Sequence, residues 1–521
     1  MTHLCVPIFV NDLAEARRDI ALAAEGGADF VELRIDRFTN HDAVVELLRQ
    51  SPLPRIVTCR PKWEGGYSEL PESERLSVLA NAAQSGATYI DVELETYRRH
   101  QVIAEMTHKT PRERRPGLIV SSHHFLRTRP PNLLALFEEL SNSEGDINKI
   151  VWNPLTIRDN LEAFELLQHR GKPTIALCMG EAGILSRILA KKFGAFLTFA
   201  SLTSAGATAP GQVTIADMKR LYRWDAIGKE TKVYGVVGSP VAHSMSPALH
   251  NAAFDQSAFN GIYVPLLVNE GYESFKAFME TFVPFDGLHL SGLSVTIPHK
   301  ENALRYLQEK GAEVEPLALS IGALNTIVVD RSQGTVNLRG FSSDYAAILD
   351  SITSALGISR ENLAEYRVAV IGAGGTGRTA VAALAHCGAT VVVYNRTFDR
   401  AAALALEFNG KSGKVVAAKM EKLCDSCCQI YLNTTSVGMH PNVNASPMGD
   451  ALPKWTSDTL VFDTVYNPMR TKLLEQAQAA GAKTIGGIEM FVRQAAAQFE
   501  AWTGKPAPVE TMRKVVEQKL K

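Results

Sequence analysis

The chain has 521 residues, which is too long for a single hydrophobic core and predicts two or three domains. Apolar residues make up 46% and charged residues 21%, and the formal net charge is −1. This balanced composition excludes a long-range attraction to nucleic acid or to an anionic membrane. No apolar run reaches the roughly 20 residues of a membrane helix. We therefore expect a soluble protein whose partners are small molecules.

The first ten residues read as a strand and lack the features of a signal or transit peptide. The expected compartment is the cytoplasm, unless a targeting segment precedes this sequence. Seven thinly scattered cysteines predict reduced thiols and no disulfide framework. Cys424, Cys427 and Cys428 form a cluster without a second ligand pair. We expect these three thiols on a short helix, with no metal bound.

Eight short β-rich apolar runs recur through about the first 225 residues, roughly 25 to 30 residues apart. They are CVPIFV from Cys5, DFVELRI from Asp29, RIVTCR from Arg55, YIDVEL from Tyr89, GLIVSSHH from Gly117, INKIVWN from Ile147, TIALCM from Thr174 and AFLTFAS from Ala195. Helical patterns that end near a glycine separate the runs. This alternation predicts a parallel sheet buried on both faces. Eight such units fit one closed (β/α)8 barrel.

Lys149 is a charged residue within the apolar run INKIVW. In such barrels the active site lies where the strands end, and Glu32, Asp91 and His123 are among the polar residues at those ends. Burying an unpaired ammonium is costly, so Lys149 is expected either to pair with Glu32 or Asp91 or to be covalently engaged. A desolvated lysine is the type of residue that Schiff-base chemistry requires.

Six motifs narrow the barrel half to one family of enzymes. VELRID, TCRPKWEGG, SSHHF, DINKI, MGEAGILSR and APGQ occur in this order across about 200 residues. Together they resemble type I 3-dehydroquinate dehydratase. The resemblance implies that Lys149 is the Schiff-base lysine, that His123 is the general acid and base, and that Glu64 assists this histidine. It implies substrate binding, with Arg187 on the substrate carboxylate, by Glu32, Arg34, Arg60, Arg187 and Gln212.

The barrel sequence departs from that family after the lysine. The family usually has a small, Thr-rich run there, whereas this chain has Val151, Trp152, Asn153 and Pro154. Because side chains alternate along a strand, Trp152 could point away from the barrel interior or crowd the site. The second histidine of the SSHHF motif, His124, is expected to be structural.

The second half contains a glycine-rich loop in the sequence RVAVIGAGGTGRTAVAALA. Gly372, Gly374 and Gly377 follow an apolar strand and open an Ala-rich helix, which is the context of a dinucleotide-binding fold. The next strand ends at Asn395, where an NAD site usually has an acidic residue. Arg396 can meet a 2′-phosphate, so NADP(H) is the expected cofactor. NTTSVGM, from Asn433, is expected as a strand and a loop beside the nicotinamide.

Ahead of the glycine loop stands a set of polar residues that could bind a polyhydroxylated carboxylate from several sides. It comprises Ser244, Ser246, Thr296, Lys300, Asn325 and Asp344. In order, and with the NADP fingerprint, these residues resemble shikimate dehydrogenase over about 290 residues. The resemblance implies that Lys300 and Asp344 are the catalytic pair and that the two serines bind the carboxylate. It adds Tyr466, Gln494 and Gln498 as substrate contacts.

Cofactor contacts are expected at ten positions in the nucleotide-binding half, including those named above. They are Gly372, Gly374, Gly375, Gly377, Asn395, Arg396, Thr397, Arg400, Thr435 and Met439. The predicted domains are a dehydratase barrel (1–226), a substrate domain (232–346), a Rossmann NADP-binding domain (347–490) and C-terminal helices (491–521) that return to the substrate domain.

A dehydratase barrel joined to a shikimate dehydrogenase resembles the bifunctional enzymes of plants. That resemblance implies dehydration of 3-dehydroquinate, NADPH-dependent reduction to shikimate, a monomer, and the plastid stroma if a transit peptide precedes this sequence. Ser342 and Ser343 replace the Asn and Thr that commonly precede Asp344, and Met245 replaces a common Lys. These differences leave a quinate dehydrogenase with an altered barrel site as an alternative. A non-catalytic metabolite sensor is a further one.

Overall fold

The computed structural model describes residues 1–100, 115–125, 130–203, 212–332, 334–410, 413–449 and 451–520. This part of the chain forms two compact units. One unit comprises Met1–His243 with Asn260–Leu290, and the other comprises Ser244–Phe259 with Ser291–Lys521. Over the same residues, no helix has both the length and the apolarity needed to cross a membrane.

The first unit contains the predicted barrel, in which all paired strands are parallel. Its strands are β1 (His3–Phe9), β2 (Phe30–Arg34), β3 (Arg55–Thr58), β4 (Tyr89–Glu93), β5 (Gly117–His124), β6 (Ile147–Trp152), β7 (Thr174–Cys178) and β8 (Leu197–Phe199). The sheet order is β7-β6-β5-β4-β3-β2-β1-β8. Where β7 and β8 meet, the Phe196 amide donates to the Thr174 carbonyl oxygen at 2.8 Å. The prediction of an eight-stranded parallel (β/α)8 barrel is confirmed, and the barrel is nearly closed.

Helices lie between these strands along the chain. They are α1 (Leu13–Glu25), α2 (His41–Gln50), α3 (Glu72–Gln84), α4 (Leu94–Arg99), α5 (Leu133–Asn142), α6 (Asp159–Gln168) and α7 (Ile184–Ile188). In α1 the Asp12 side chain caps the first turn by accepting from the Glu15 amide at 2.9 Å. Ala16, Ile20 and Ala23 are buried at helical spacing on the same helix. The strands are buried on both faces, as the continuous apolar runs predict.

Four elements follow the barrel in the chain: β9 (Lys232–Gly238), α8 (Ser246–Gln256), β10 (Gly261–Leu267) and α9 (Tyr272–Phe282). β9 and β10 pair in parallel within the first unit, whereas α8 belongs to the second. Lys192 holds the connecting segment against the barrel. Its ammonium donates to the carbonyl oxygens of Lys229 at 2.6 Å and Thr231 at 2.8 Å.

The second unit begins with a mixed sheet and its helices. The elements are β11 (Leu290–Val295), α10 (Lys300–Glu309), β12 (Glu313–Val314), α11 (Pro316–Ile321), β13 (Thr326–Asp330), β14 (Asn337–Phe341) and α12 (Ser343–Leu356). β13 pairs antiparallel with both β11 and β14, and β12 pairs in parallel with β14. This arrangement brings the beginnings of α10 and α12 to the ends of β11 and β14, the two strands that flank β13.

A six-stranded parallel sheet forms the nucleotide-binding part. Its elements are β15 (Arg367–Ile371), α13 (Gly375–His386), β16 (Thr390–Tyr394), α14 (Phe398–Phe408), β17 (Val415–Ala418), β18 (Ile430–Asn433), β19 (Leu460–Asp463), α15 (Lys472–Ala479) and β20 (Lys483–Ile485). The order β17-β16-β15-β18-β19-β20 reverses direction between β15 and β18. Ligands of doubly wound folds bind at the carboxyl ends of the strands at such a switch point.

Two helices end the chain, α16 (Gly487–Thr503) and α17 (Val509–Leu520). α16 packs against α12 and α8, and α17 packs against α8. The predicted domain boundary between residues 346 and 347 falls inside α12. The one between residues 490 and 491 falls inside α16.

The three clustered cysteines do not lie on a helix, so that prediction is wrong. Cys424, Cys427 and Cys428 lie in a turn and an irregular segment before β18. The Ser426 hydroxyl and amide both donate to the Leu423 carbonyl oxygen, at 2.5 Å and 3.2 Å, so the chain closes a local turn here in place of a helix. All three thiols are unbridged.

Candidate active sites

One pocket opens at the carboxyl ends of the barrel strands, where parallel barrels place their active sites. All eight predicted barrel residues line it: Glu32, Arg34, Arg60, Glu64, His123, Lys149, Arg187 and Gln212. The remaining lining residues are Gly65, Phe125, Val151, Leu177, Met179 and Phe199. The fold therefore collects residues that are scattered along the sequence into a single concave site.

Lys149, on β6, is 5% exposed and has acidic partners on two sides. Its Nζ lies 2.7 Å from Oδ2 of Asp91 and 3.3 Å from Oε1 of Glu32. The ring centroid of Phe199 lies 4.9 Å from the same atom. Both carboxylates named from the sequence are thus partners of the lysine, and they offset the cost of burying its charge. Because the amine also lines the pocket, pairing and a nucleophilic role are compatible.

Arg60 lies beside this lysine in a buried charge network. It is 2.8 Å from carboxylate oxygens of both Asp91 and Glu93. Burial alone would lower the pKa of Arg60, but these two carboxylates raise it above its usual value. Burial would likewise raise the pKa of Asp91, whereas Arg60 and Lys149 hold it well below its usual range. The network therefore keeps Asp91 ionised next to the lysine.

His123 and Glu64 form a hydrogen-bonded pair, with Nδ1 of the ring 2.9 Å from Oε2 of the carboxyl. Burial raises the pKa of Glu64 to about 8, although Arg60 opposes this. Burial and the neighbouring cations Arg60 and Lys149 lower the pKa of His123 well below its usual value. A protonated Glu64 donates to Nδ1 and leaves a hydrogen on Nε2, whereas an ionised Glu64 accepts from Nδ1 and leaves a lone pair there. The pair can therefore present an acid or a base at Nε2.

Arg187, on α7, is 2% exposed and forms no ion pair with a described carboxylate. Its Nε atom is buried without a hydrogen-bond partner among the described residues. Burial lowers the pKa of this guanidinium to about 10. A buried cation without a counter-ion is costly, so the pocket is built for an anionic ligand.

Trp152 does not crowd the pocket. Strand alternation puts Lys149 and Val151 on the pocket side of β6, and Trp152 is fully buried without lining the pocket. The first of the two orientations considered from the sequence is therefore the one found. Residues 209–211 of the APGQ motif lie outside the described residues, while Gln212 of the same motif lines the pocket.

A second site forms around Lys300, the first residue of α10, and Asp344, near the start of α12. Nζ of the lysine donates to Oδ2 of the carboxylate at 2.5 Å. Their side chains are 28% and 14% exposed, so this ion pair is far more open to water than the one at Lys149. The predicted catalytic pair is therefore in direct contact.

Asn325 is held next to this pair by Ser343. Its Nδ2 donates to the Ser343 hydroxyl at 3.0 Å, and its Oδ1 accepts from the Ser343 amide at 2.8 Å. The same hydroxyl lies 3.4 Å from Oε1 of Gln494. Gln498 is buried one helical turn further along and bonds to Ser294 and Thr326. Both predicted glutamines are thus linked to Asn325, Gln494 through Ser343 and Gln498 through its bond to the Asn325 carbonyl oxygen. The polar atoms of Gln498 bond to protein groups.

The remaining predicted substrate contacts also belong to the second unit. The Ser246 amide donates to the Ser244 hydroxyl at 3.3 Å, a local bond just before α8. Thr296, which follows β11, is half-buried. Tyr466 stacks on Phe491 with ring centroids 5.0 Å apart. Burial raises the pKa of the Tyr466 phenol, so this hydroxyl stays a hydrogen-bond donor at neutral pH.

The glycine loop between β15 and α13 fits a dinucleotide. Gly372 has φ +111°, and a Cβ on Gly377 would lie 2.2 Å from the Gly372 carbonyl oxygen, so both positions require glycine. Nothing lies within 4 Å of a Cβ built on Gly374 or Gly375. This open backbone at the start of a helix is suited to the close approach of a pyrophosphate. Thr435 and Met439 lie in the loop after β18, beside the switch point.

The residues after β16 bear on the choice between NAD(H) and NADP(H). Asn395 is half-buried, accepts from the Ala373 amide at 3.2 Å and donates to the Thr397 carbonyl oxygen at 2.8 Å. Arg396 and Arg400 are exposed, and neither pairs with a described carboxylate. Two free guanidinium groups beside a neutral amide favour a phosphorylated ribose.

Sequence models of known families match both halves of the chain. The type I 3-dehydroquinase model matches residues 4–229. The shikimate dehydrogenase substrate binding domain matches residues 236–327, shikimate/quinate 5-dehydrogenase residues 355–467, and the shikimate 5′-dehydrogenase C-terminal domain residues 487–517. The chloroplastic bifunctional 3-dehydroquinate dehydratase/shikimate dehydrogenase of Arabidopsis thaliana is 41% identical over 524 residues, covering 97% of this chain and 83% of that protein. The chain belongs to this bifunctional family.

Two relatives named for the dehydrogenase activity alone cover little more than half of this chain. A shikimate dehydrogenase (NADP(+)) of Carboxydothermus hydrogenoformans is 35% identical over 295 residues, covering 56% of this chain and 98% of that protein. The solved shikimate 5-dehydrogenase of Thermus thermophilus in complex with NADP(H) and shikimate is 32% identical, covers 55% of this chain and 99% of its own, and has a TM-score of 0.47.

Sequence reasoning missed the apolar lining of the barrel pocket. Val151, Met179 and Phe199 line it together with Phe125. The alternation of side chains along β6 was a usable signal for Val151, because this residue lies two positions after Lys149. No comparable signal in the sequence points to Phe199, which enters the pocket because β8 lies next to β1 in the closed sheet.

Proposed function

We propose that this protein dehydrates 3-dehydroquinate in its barrel and reduces the product, 3-dehydroshikimate, to shikimate in its second unit. The observation that carries the first step is a buried lysine, Lys149, in the same pocket as Arg187, a buried arginine with no described counter-ion. A keto acid supplies what this pocket requires: a carbonyl for the amine and a carboxylate for the guanidinium.

The barrel chemistry assigns each step to a residue. The unprotonated Nζ of Lys149 attacks the ketone carbon and water leaves, which gives a protonated Schiff base. The iminium acidifies the neighbouring C–H bond, and Nε2 of His123 accepts that proton. The electron pair moves towards the iminium nitrogen and then returns, so that the β-hydroxyl departs as water with the proton that His123 donates. Hydrolysis of the Schiff base releases product and restores the amine.

Glu64 supports both roles of His123. Its carboxyl bonds Nδ1, so its protonation state sets which tautomer the ring adopts. The ring must act as a base on the C–H bond and as an acid on the leaving hydroxyl. A partner that can exchange a proton near neutral pH suits this alternation.

In the second unit, Lys300 and Asp344 handle the proton that accompanies reduction. The cofactor NADPH supplies a hydride to the carbonyl carbon when it is bound. Lys300 donates a proton to the carbonyl oxygen, and Asp344 holds the ammonium in position at 2.5 Å. Ser244 and Ser246 would bind the substrate carboxylate, while Asn325 and Gln494 would bind its hydroxyls.

Trapping with borohydride tests the barrel step. The protein is incubated with 3-dehydroquinate, reduced, digested and examined by mass spectrometry. The expected result is a reduced adduct on Lys149 and none in the K149M variant. The absence of an adduct in the wild-type protein would overturn the proposed dehydration.

Steady-state rates test the second step. With NADP+, kcat/KM for shikimate is expected to exceed that for quinate. The opposite order would assign the dehydrogenase to quinate, the alternative suggested by Ser343 and Met245.

We also propose that the protein is monomeric and that it acts in the plastid. The Arabidopsis relative is a chloroplastic enzyme, which supports the compartment. Light scattering after size-exclusion chromatography is expected to give the mass of one chain, and fractionation of source tissue is expected to recover the protein with the stroma. A dimer mass or a cytosolic protein would contradict the respective point.

A further inference from the structure

The Asp36 carboxylate, which follows β2, bonds four donors although its side chain is fully buried. Its Oδ1 accepts from Nε of Arg34 at 3.1 Å and from the Arg60 amide at 3.1 Å. Its Oδ2 accepts from Nη2 of Arg34 at 2.6 Å and from the Tyr67 amide at 3.2 Å. Each oxygen thus bonds one nitrogen of Arg34 and one backbone amide. This carboxylate is outside the set of residues that line the pocket.

Asp36 determines which edge of Arg34 faces the pocket. It binds the edge formed by Nε and Nη2, which leaves Nη1 and one hydrogen of Nη2 available to a ligand. No other described carboxylate pairs with this guanidinium. The Phe9 ring supports the orientation, with its centroid 5.0 Å from the central carbon of the guanidinium. Arg34 is 13% exposed and lines the pocket, so its free edge faces the pocket.

The two backbone amides are the ends of a loop that carries catalytic groups. Residues 60–67 begin with Arg60 and contain Glu64, the partner of His123. The loop is tightly closed, because a Cβ on Gly66 would lie 2.1 Å from the Arg60 carbonyl oxygen. By bonding both ends, Asp36 fixes this loop relative to Arg34.

We propose that Asp36 is a positioning residue that couples the substrate-binding arginine Arg34 to the loop bearing Arg60 and Glu64. The inference rests on the dehydratase function proposed above for the same pocket. Asparagine cannot replace the carboxylate, because all four partners are donors and an amide offers only one acceptor oxygen. Loss of the carboxylate frees Arg34 to leave its bound orientation, so substrate binding weakens before the chemistry does.

The test is a double-mutant cycle between Asp36→Asn and Arg34→Lys, with KM and kcat measured for 3-dehydroquinate. In the wild-type background D36N is expected to raise KM by about 10-fold or more, since it removes an arginine–carboxylate fork. In the R34K background the same change is expected to raise KM by less than about 3-fold. An ammonium lacks the planar two-nitrogen edge by which Asp36 orients Arg34. An equal rise in both backgrounds would overturn the proposal and leave Asp36 a purely structural residue.

Asp146→Asn is the matched control. Asp146 also accepts from an arginine, Arg115 at 2.8 Å, and from a backbone amide, Leu118 at 2.8 Å, but it precedes β6 at the opposite end of the barrel. D146N is expected to leave KM unchanged. If D36N does not fold, the same cycle is measured with D36E in the two backgrounds, because the longer side chain displaces the carboxylate. A wild-type protein without dehydratase activity would instead refute the proposed function.

Discussion

The two candidate catalytic lysines differ in burial and in the number of their carboxylate partners. Lys149 is 5% exposed and has two carboxylate partners within a buried network, whereas Lys300 is 28% exposed and has one. The first arrangement is suited to a covalent step, because Asp91 and Glu32 hold the amine at a fixed position in a pocket that is largely shielded from water. The second is suited to a proton that is exchanged with water after each turnover. On the proposed function, one chain uses the same residue type for two kinds of chemistry, and the two lysines differ in burial.

The largest expected effect is a loss of dehydratase activity with no change in dehydrogenase activity. Lys149→Met is expected to lower dehydratase kcat by at least about 10³-fold, since the nucleophile is lost. Shikimate dehydrogenase activity of the same variant is expected to be unchanged. Lys172, which donates to the Gly145 carbonyl oxygen at 3.1 Å, provides the control substitution K172M. Dehydratase activity that survives K149M would show that Lys149 is not the nucleophile, and the proposed difference between the two lysines would be lost.

The reciprocal change tests the exposed lysine. Lys300→Met is expected to lower dehydrogenase kcat by about 10²- to 10³-fold, because a positioned general acid contributes that much. Dehydratase activity is the internal control, and K454M, at an exposed lysine, is the matched variant. A loss confined to KM would show that Lys300 binds substrate without transferring a proton.

Arg187→Met is expected to raise KM for 3-dehydroquinate by about 10²-fold, because an anchoring charge is lost. The same change is expected to raise the thermal stability of the ligand-free protein, since it removes a buried cation that has no described counter-ion. R158M, at an exposed arginine that lies outside the pocket lining, is the control. A variant that is both inactive and less stable would mean that Arg187 has a structural partner.

The smallest expected effect concerns pH. The pKa of Glu64 is raised from 4.5 to about 8, so between these values the folded protein holds a proton that the unfolded chain releases. The stability contributed by this proton is therefore lost as the pH rises towards about 8. Glu64→Gln removes that penalty, and its melting temperature relative to the wild type is expected to increase from pH 6 to pH 9. E69Q, at the exposed Glu69 of the same region, is the control, and parallel curves for E64Q and the wild type would contradict the account.

Much of the fold followed from periodicity. The eight barrel strands and the glycine loop were predictable because parallel strands leave continuous apolar runs and because a dinucleotide loop needs glycine at defined positions. The cysteine segment was predicted wrongly, since Ser426 bonds the Leu423 carbonyl oxygen in a local turn that the apolar pattern does not encode. β12 and β20, with two and three residues, are too short for any periodicity.

The sites were predictable as lists of residues but not as electrostatic environments. Sequence motifs named Arg187, yet only the folded pocket shows that no described carboxylate pairs with it. The orientation of Trp152 was equally undecided, because it depends on which face of β6 is turned to the pocket. Gln498 lies one helical turn after Gln494, and only the structure shows that it is buried against Thr326 and Ser294. Such distinctions arise from contacts distant in sequence.

The central claim is that one chain carries out both reactions in succession, each at its own site. The most direct measurement follows the products of 3-dehydroquinate by NMR, first without and then with NADPH, for the wild-type protein. We predict 3-dehydroshikimate in the first sample and shikimate in the second. Unchanged 3-dehydroquinate in both samples, or reduction of 3-dehydroquinate without loss of water, would contradict it.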